Sequence, residues 1–117
     1  MIAGLTEAQA NDFTNRLQKA QKDFAPIAEH LSKGKDFLQK KEFKQAENEY
    51  KSALDSSKGS VDKGLARYGL ADVYEKKGDY KKAIQTLQIL RDENTADFAK
   101  PELDARISLL KTKLIAR

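Results

Sequence analysis

Cysteine and tryptophan are missing from this 117-residue sequence, and histidine and methionine occur once each. Without thiols there is no disulfide framework, no thiolate metal site and no thiol nucleophile, and no compartment can be read from redox chemistry. One histidine, His30, excludes the paired imidazoles of most metal and catalytic centres, so it is expected as a core or boundary residue. Only two prolines and six glycines punctuate the chain, and they form no glycine-rich phosphate loop. No apolar run approaches the roughly 20 residues needed to cross a bilayer. Met1 to Leu5 is too short, and lacks the basic flank, for a signal peptide; a secreted or anchored form would have had its targeting segment removed. No stretch alternates with period two, so no strand is expected.

What is present in quantity is charge. Charged residues make up 34% of the sequence and hydrophobic ones 39%, enough apolar material for one modest core in a water-facing chain. Lysine and arginine number 22 against 18 aspartate and glutamate, a net charge of +4 spread along the sequence. That mild excess favours acidic partners slightly and makes no case for nucleic acid. Neighbouring acids such as Asp92 and Glu93, or Asp72 and Glu75, belong to charged helix surfaces with no apolar setting to shift a pKa. No enzymatic activity, cofactor or metal is expected.

In order, the chain predicts helices separated by tight turns. Thr6 and Gln9 have the spacing of a capping box, and behind them Phe13, Leu17, Ala20 and Phe24 fall on one stripe. Pro26 is expected to end this first helix and to open a second, to about Lys40, with Ile27, Leu31, Gly34 and Leu38 on one face. Lys40, Lys41 and Glu42 mark a turn. A third helix, Phe43 to about Ser57, carries Phe43, Ala46, Tyr50, Ala53 and Leu54. After a loop at Ser56 to Asp62, Ser60 is expected to cap a fourth helix, Val61 to Lys77, with Leu70, Ala71 and Tyr74 towards its neighbours. Gly78 and Asp79 supply a left-handed stop and a new N-cap. The fifth helix holds Tyr80, Ala83, Ile84, Leu87 and Leu90 and should stop near Asn94. Thr95 to Lys100 is read as a connection. Pro101 opens a sixth helix with Leu103, Ile107, Leu110 and Leu114 on one stripe and Lys111, Lys113 and Arg117 near its negative end.

The second to fifth helices contain a self-match. Gly34, Phe37, Phe43, Ala46, Tyr50 and Ala53 are answered 37 positions later by Ala71, Tyr74, Tyr80, Ala83, Leu87 and Leu90. One supersecondary unit used twice is the simplest source of such an offset. An antiparallel helix pair joined by a short turn needs small residues where its backbones approach, here Gly34 with Ala46 and Ala71 with Ala83. Phe37 and Tyr50, then Tyr74 and Leu87, would fill the space where the helices splay. This pattern resembles the tetratricopeptide repeat, followed closely by Leu70, Ala71, Tyr74, Gly78, Tyr80 and Ala83. The first copy departs from it with His30 where Trp is common and Lys33 where Leu is preferred.

The resemblance implies an all-α stack of helix-turn-helix repeats in a right-handed superhelix, about six helices in one domain. Its expected parts are an N-terminal helix (6–24), a first repeat (26–57), a second repeat (61–94) and a C-terminal capping helix (101–116). Ala105 lies 34 positions after Ala71, in phase with a first helix, and the extra residues of the 37-residue period are placed in the loop at Ser57 to Ser60. The inner surface of such a stack binds a protein or peptide partner. The residues turned that way would be Leu31, Lys35, Leu38 and Gln39, then Leu65, Tyr68, Asp72 and Glu75, a mixture suited to an amphipathic segment. Relatives that grip an acidic C-terminal peptide carry Lys and, four residues on, Asn; Leu31 and Lys35 stand there instead, so that mode is not supported.

Leu31 and Leu38 are expected either to be covered by the first helix, through Phe13 and Phe24, which is the preferred reading, or to face an open groove. Lys40, Lys41 and Lys44 around Phe43 are read as a solvated turn over a buried ring. The last helix is read as a cap, or as an interface left by a longer array, before a membrane-binding role. The resulting expectation is a non-catalytic protein-interaction module, part of a larger assembly or longer chain. A domain that homo-oligomerises through its terminal helices, and a binder of nucleic acid or anionic surfaces, are the alternatives.

Overall fold

Five helices account for the residues described by the computed structural model, 6–93 and 100–116: α1 (Glu7–Gln39), α2 (Phe43–Ser56), α3 (Ser60–Lys77), α4 (Tyr80–Glu93) and α5 (Lys100–Ala116). No strand occurs among the described residues. The expected stop near Asn94, the connection from Thr95 and the position of Arg117 lie outside them. Each helix packs on the next, and α1 also packs on α3, which is the neighbour pattern of stacked helical hairpins.

The helix count among the described residues is five, one below the expectation, because Pro26 lies inside α1 and does not end it. Proline removes one intrahelical hydrogen bond and crowds the preceding turn, which costs about 3 kcal/mol in a helix interior. Pro26 is solvent-exposed, as is Lys22 four residues before it, so the freed carbonyl stays in reach of water. The consequence is structural. The first helix cannot fold back over Leu31 and Leu38, and Phe13 and Phe24 remain 67% and 37% exposed.

Helix ends otherwise follow local chemistry. Thr6 and Gln9 form both halves of the capping box, at 3.1 and 3.0 Å. Gly78 takes φ 88°, left-handed, and stops α3, after which the Asp79 carboxylate accepts from the Lys82 amide at 3.2 Å. The start of α3 differs from expectation: Gly59 is its N-cap, no side chain caps it, and Ser60 is already helical. Between α1 and α2, Lys41 adopts φ 61°, which an L side chain tolerates at a cost of about 1–2 kcal/mol. That single residue lets the Lys40 to Glu42 turn close, with the Glu42 amide donating to the Phe37 carbonyl at 2.9 Å.

The core joins corresponding members of the two repeated units. Ala46, Ala53, Ala71 and Ala83 are fully buried, and Leu87, Leu103 and Leu110 around them are too. Each such leucine contributes about 1.5–3 kcal/mol by leaving water. α2 and α4 are both 14 residues long, so the extra residues of the longer period lie outside them. In α5, Leu103, Ile107 and Leu110 are buried while Leu114 is 40% exposed. Ala105 is exposed, since no described helix follows α5 to cover the side that Ala71 turns to α4.

Candidate functional site

A groove of about 780 Å³ opens where the C-terminal end of α1 meets α3, lined by Lys35, Leu38, Gln39, Lys41, Phe43, Tyr50, Asp72 and Lys76. Its floor is apolar. Leu38 and Tyr50 are 8% and 6% exposed, and half-buried Phe43 packs against the same core cluster. Tyr50 reaches this place from α2 because the backbones beside its ring belong to glycines, Gly34 on α1 and Gly69 on α3, where any Cβ would collide with it. Burial, and then the charge of Asp72, push the Tyr50 hydroxyl above its usual range, so it stays a neutral donor and acceptor.

The rim is basic. Lys35, Lys41 and Lys76 are exposed, and none is engaged by an acidic side chain among the described residues. Asp72, the one acid on the groove, is already compensated: Arg106 of α5 donates from Nη2 to its Oδ1 at 2.6 Å. The same Nη2 lies 3.5 Å from Glu75 Oε2. The groove therefore sets uncompensated positive charge beside an apolar floor. No cluster of three or more His, Asp or Glu suited to a metal is found among the described residues.

Of the eight residues expected to line an inner face, Lys35, Leu38, Gln39 and Asp72 come together in this groove. The other four do not. Leu31 is half-buried and packs into the core beside Ile27, Ala53 and Leu54. Leu65 is 44% exposed and apart from the groove. Half-buried Tyr68 packs on the core, its hydroxyl pushed up by burial and then by Glu102 of α5, and Glu75 faces Arg106. α5 thus occupies the side of α3 on which Tyr68 and Glu75 were expected to meet a partner. Lys41, Phe43, Tyr50 and Lys76 line the groove without having been expected there. Lys76 stands four residues after Asp72, as Gln39 does after Lys35, so helical spacing alone could have added it.

Polar pairs that the sequence did not reveal tie the helices around the groove. Tyr74 donates to Glu47 Oε2 at 2.7 Å, joining α3 to α2. His30 Nδ1 lies 2.7 Å from Glu49 Oε2, joining α1 to α2. Arg67 forks onto Glu93 at 3.0 and 3.1 Å, and Arg91 meets Asp104 at 2.6 Å.

A family model described as tetratricopeptide repeat matches residues 37–114, two thirds of the chain. The match begins in the last turn of α1 and runs through most of α5. No curated protein and no solved structure matches.

Proposed function

The chain belongs to the tetratricopeptide repeat family, whose repeats generally mediate protein–protein interaction, and we propose that it holds an amphipathic peptide segment in the groove between α1 and α3. An apolar side chain of the partner would rest on Leu38, Phe43 and Tyr50, with acidic residues on either side of it reaching Lys35, Lys41 and Lys76. The observation that carries this reading is the unpaired state of those three lysines around an apolar floor. Charge at an exposed rim chiefly speeds encounter and selects partners, while the apolar anchor supplies residence time.

The test is selection from a random peptide library displayed against the whole chain, with Lys35→Glu/Lys76→Glu as the counter-selection. The expected consensus joins an aromatic or aliphatic residue to acids, and the charge-reversed variant loses most binding with its helicity intact. A basic consensus, or equal binding by the variant, overturns the reading.

A further inference from the structure

The helical face that buries the C-terminal half of α1 does not end where the bundle ends. Leu17, Phe24, Leu31 and Leu38 follow one another at seven-residue steps, and Phe13, Ile27 and Gly34 stand four residues before Leu17, Leu31 and Leu38. This is the spacing of a coiled-coil seam. From Ile27 onwards the seam is covered: Ile27 is fully buried against α2 and α3, and Leu38 is 8% exposed. Before Ile27 the same seam continues on the same unbroken helix, where Phe13, Leu17 and Phe24 are 67%, 49% and 37% exposed. The stretch also lies N-terminal to the residues that the family match covers.

We propose that this arm, residues 7–24, is a self-association element, and that its occupant is the arm of a second copy running antiparallel to it. Continuity with the buried seam sets the kind of contact: a helix laid along Phe13, Leu17 and Phe24 as α2 is laid along Ile27, Leu31 and Leu38. The burial of Ile27 sets the register, because a partner helix can cover the arm only up to Phe24 before meeting α2. Two arms that overlap over that length place Phe13 of one copy against Leu17 of the other, across a twofold axis. The charge order sets the direction. The arm begins acidic, at Glu7 and Asp12, and turns basic at Arg16, Lys19 and Lys22, although Asp12 already pairs with Arg16 at 2.8 Å and Asp23 follows the last lysine, so it is the net charge of each half that reverses. Antiparallel pairing puts the acidic turns of each arm level with the basic turns of the other, whereas parallel pairing stacks like on like. The arm shares no residue with the groove, so association through it leaves the proposed peptide site open.

Sedimentation equilibrium of the whole chain tests this. The overlap of two such arms is at the small end of specific interfaces, so association belongs at about 1–300 µM. Across that range the weight-average mass is expected to climb from 13.2 kDa towards twice that value. Phe13→Glu/Leu17→Glu, both exposed and away from the core, should stay monomeric with unchanged helicity, and Lys35→Glu/Lys76→Glu should associate like the native chain. Because the chain has no cysteine, disulfide trapping then reads the direction: F13C mixed with L17C links the copies, while F24C alone does not, its two positions lying at opposite ends of the paired arms. A native chain that stays monomeric, an arm variant that still associates, or loss of association in the groove variant overturns the proposal. Efficient linkage of F24C to itself overturns the antiparallel arrangement.

Discussion

Gly69 and Tyr50 stand face to face: a methyl group on Gly69 would lie 2.6 Å from Cζ of the tyrosine ring and closer still to two of its other carbons. The ring is also held close to the α1 backbone, since a Cβ on Gly34 would lie 2.9 Å from it. Alanine at a helix-interior glycine normally gains about 1 kcal/mol of propensity. Here overpacking of about 1–3 kcal/mol or more works against that gain. Gly69→Ala is therefore expected to lower stability by about 1–2 kcal/mol in urea unfolding, and to lose less in a Tyr50→Leu background where the ring is gone. An equal loss in both backgrounds would mean that the ring is not the obstacle. Gly64→Ala is the control, because its Cβ would meet only the end of the Leu90 side chain, at 3.3 Å.

The Tyr74–Glu47 hydrogen bond gives stability a pH dependence at both ends. The bond from Tyr74 holds the Glu47 carboxyl below its usual 4.5, helped by Lys51. A depressed folded pKa means a contribution that is present above pH 4.5 and lost as pH falls through the folded value. Tyr74 is pushed well above 10, first by burial and then by Glu47. A raised folded pKa means a contribution present below pH 10 and lost as pH rises. Tyr74→Phe should flatten both slopes in a series of urea midpoints from acid to alkaline pH. Slopes identical to those of the native chain would show that the pair is not coupled to folding.

Arg106 joins α5 to the groove. Its bond to Asp72 is only partly buried, at 23% and 45% side-chain exposure, so Arg106→Ala is expected to cost no more than about 1 kcal/mol, less at high salt. Its larger effect is electrostatic, because Asp72 would then face the groove uncompensated. Affinity for an acidic segment should fall several-fold although Arg106 lies outside the groove lining. Titration of a selected peptide, measured beside the unfolding curve, separates the two effects.

Pro26→Ala restores a hydrogen-bond donor in the middle of α1 at an exposed position. The expected gain is up to about 3 kcal/mol of local helix stability, seen as higher helicity by circular dichroism and a higher unfolding midpoint. A fall in helicity would mean that proline shapes the arm in a way that straight helix does not reproduce.

How much of this was legible beforehand differs by residue. Gly78, Asp79 and the Thr6–Gln9 box act through atoms within a few residues of each other, and the structure has them as the sequence implies. Ala46 and Ala83 were legible for another reason: a position that repeats 37 residues later with the same small side chain reports a close approach occurring twice. Gly69 escaped notice because its counterpart 37 positions earlier is Ser32, which is exposed, so no close approach is repeated there. Its role depends on Tyr50 arriving from a different helix. Pro26 misled, since the local rule for proline counts the lost hydrogen bond but not the helix on either side of it.

By itself the sequence determined the helices that follow Pro26 to within a residue or two, their turns and the pairing of α3 with α4, because periodicity, caps and a fixed-offset repeat are short-range properties of a chain. Only the tertiary structure decided which of the inner residues share a groove, that α5 and Arg106 take Tyr68, Asp72 and Glu75, and that Lys41 and Lys76 are left unpaired. Those outcomes depend on distances between helices, and an ion pair such as Arg106 with Asp72 joins residues 34 apart that no local spacing connects.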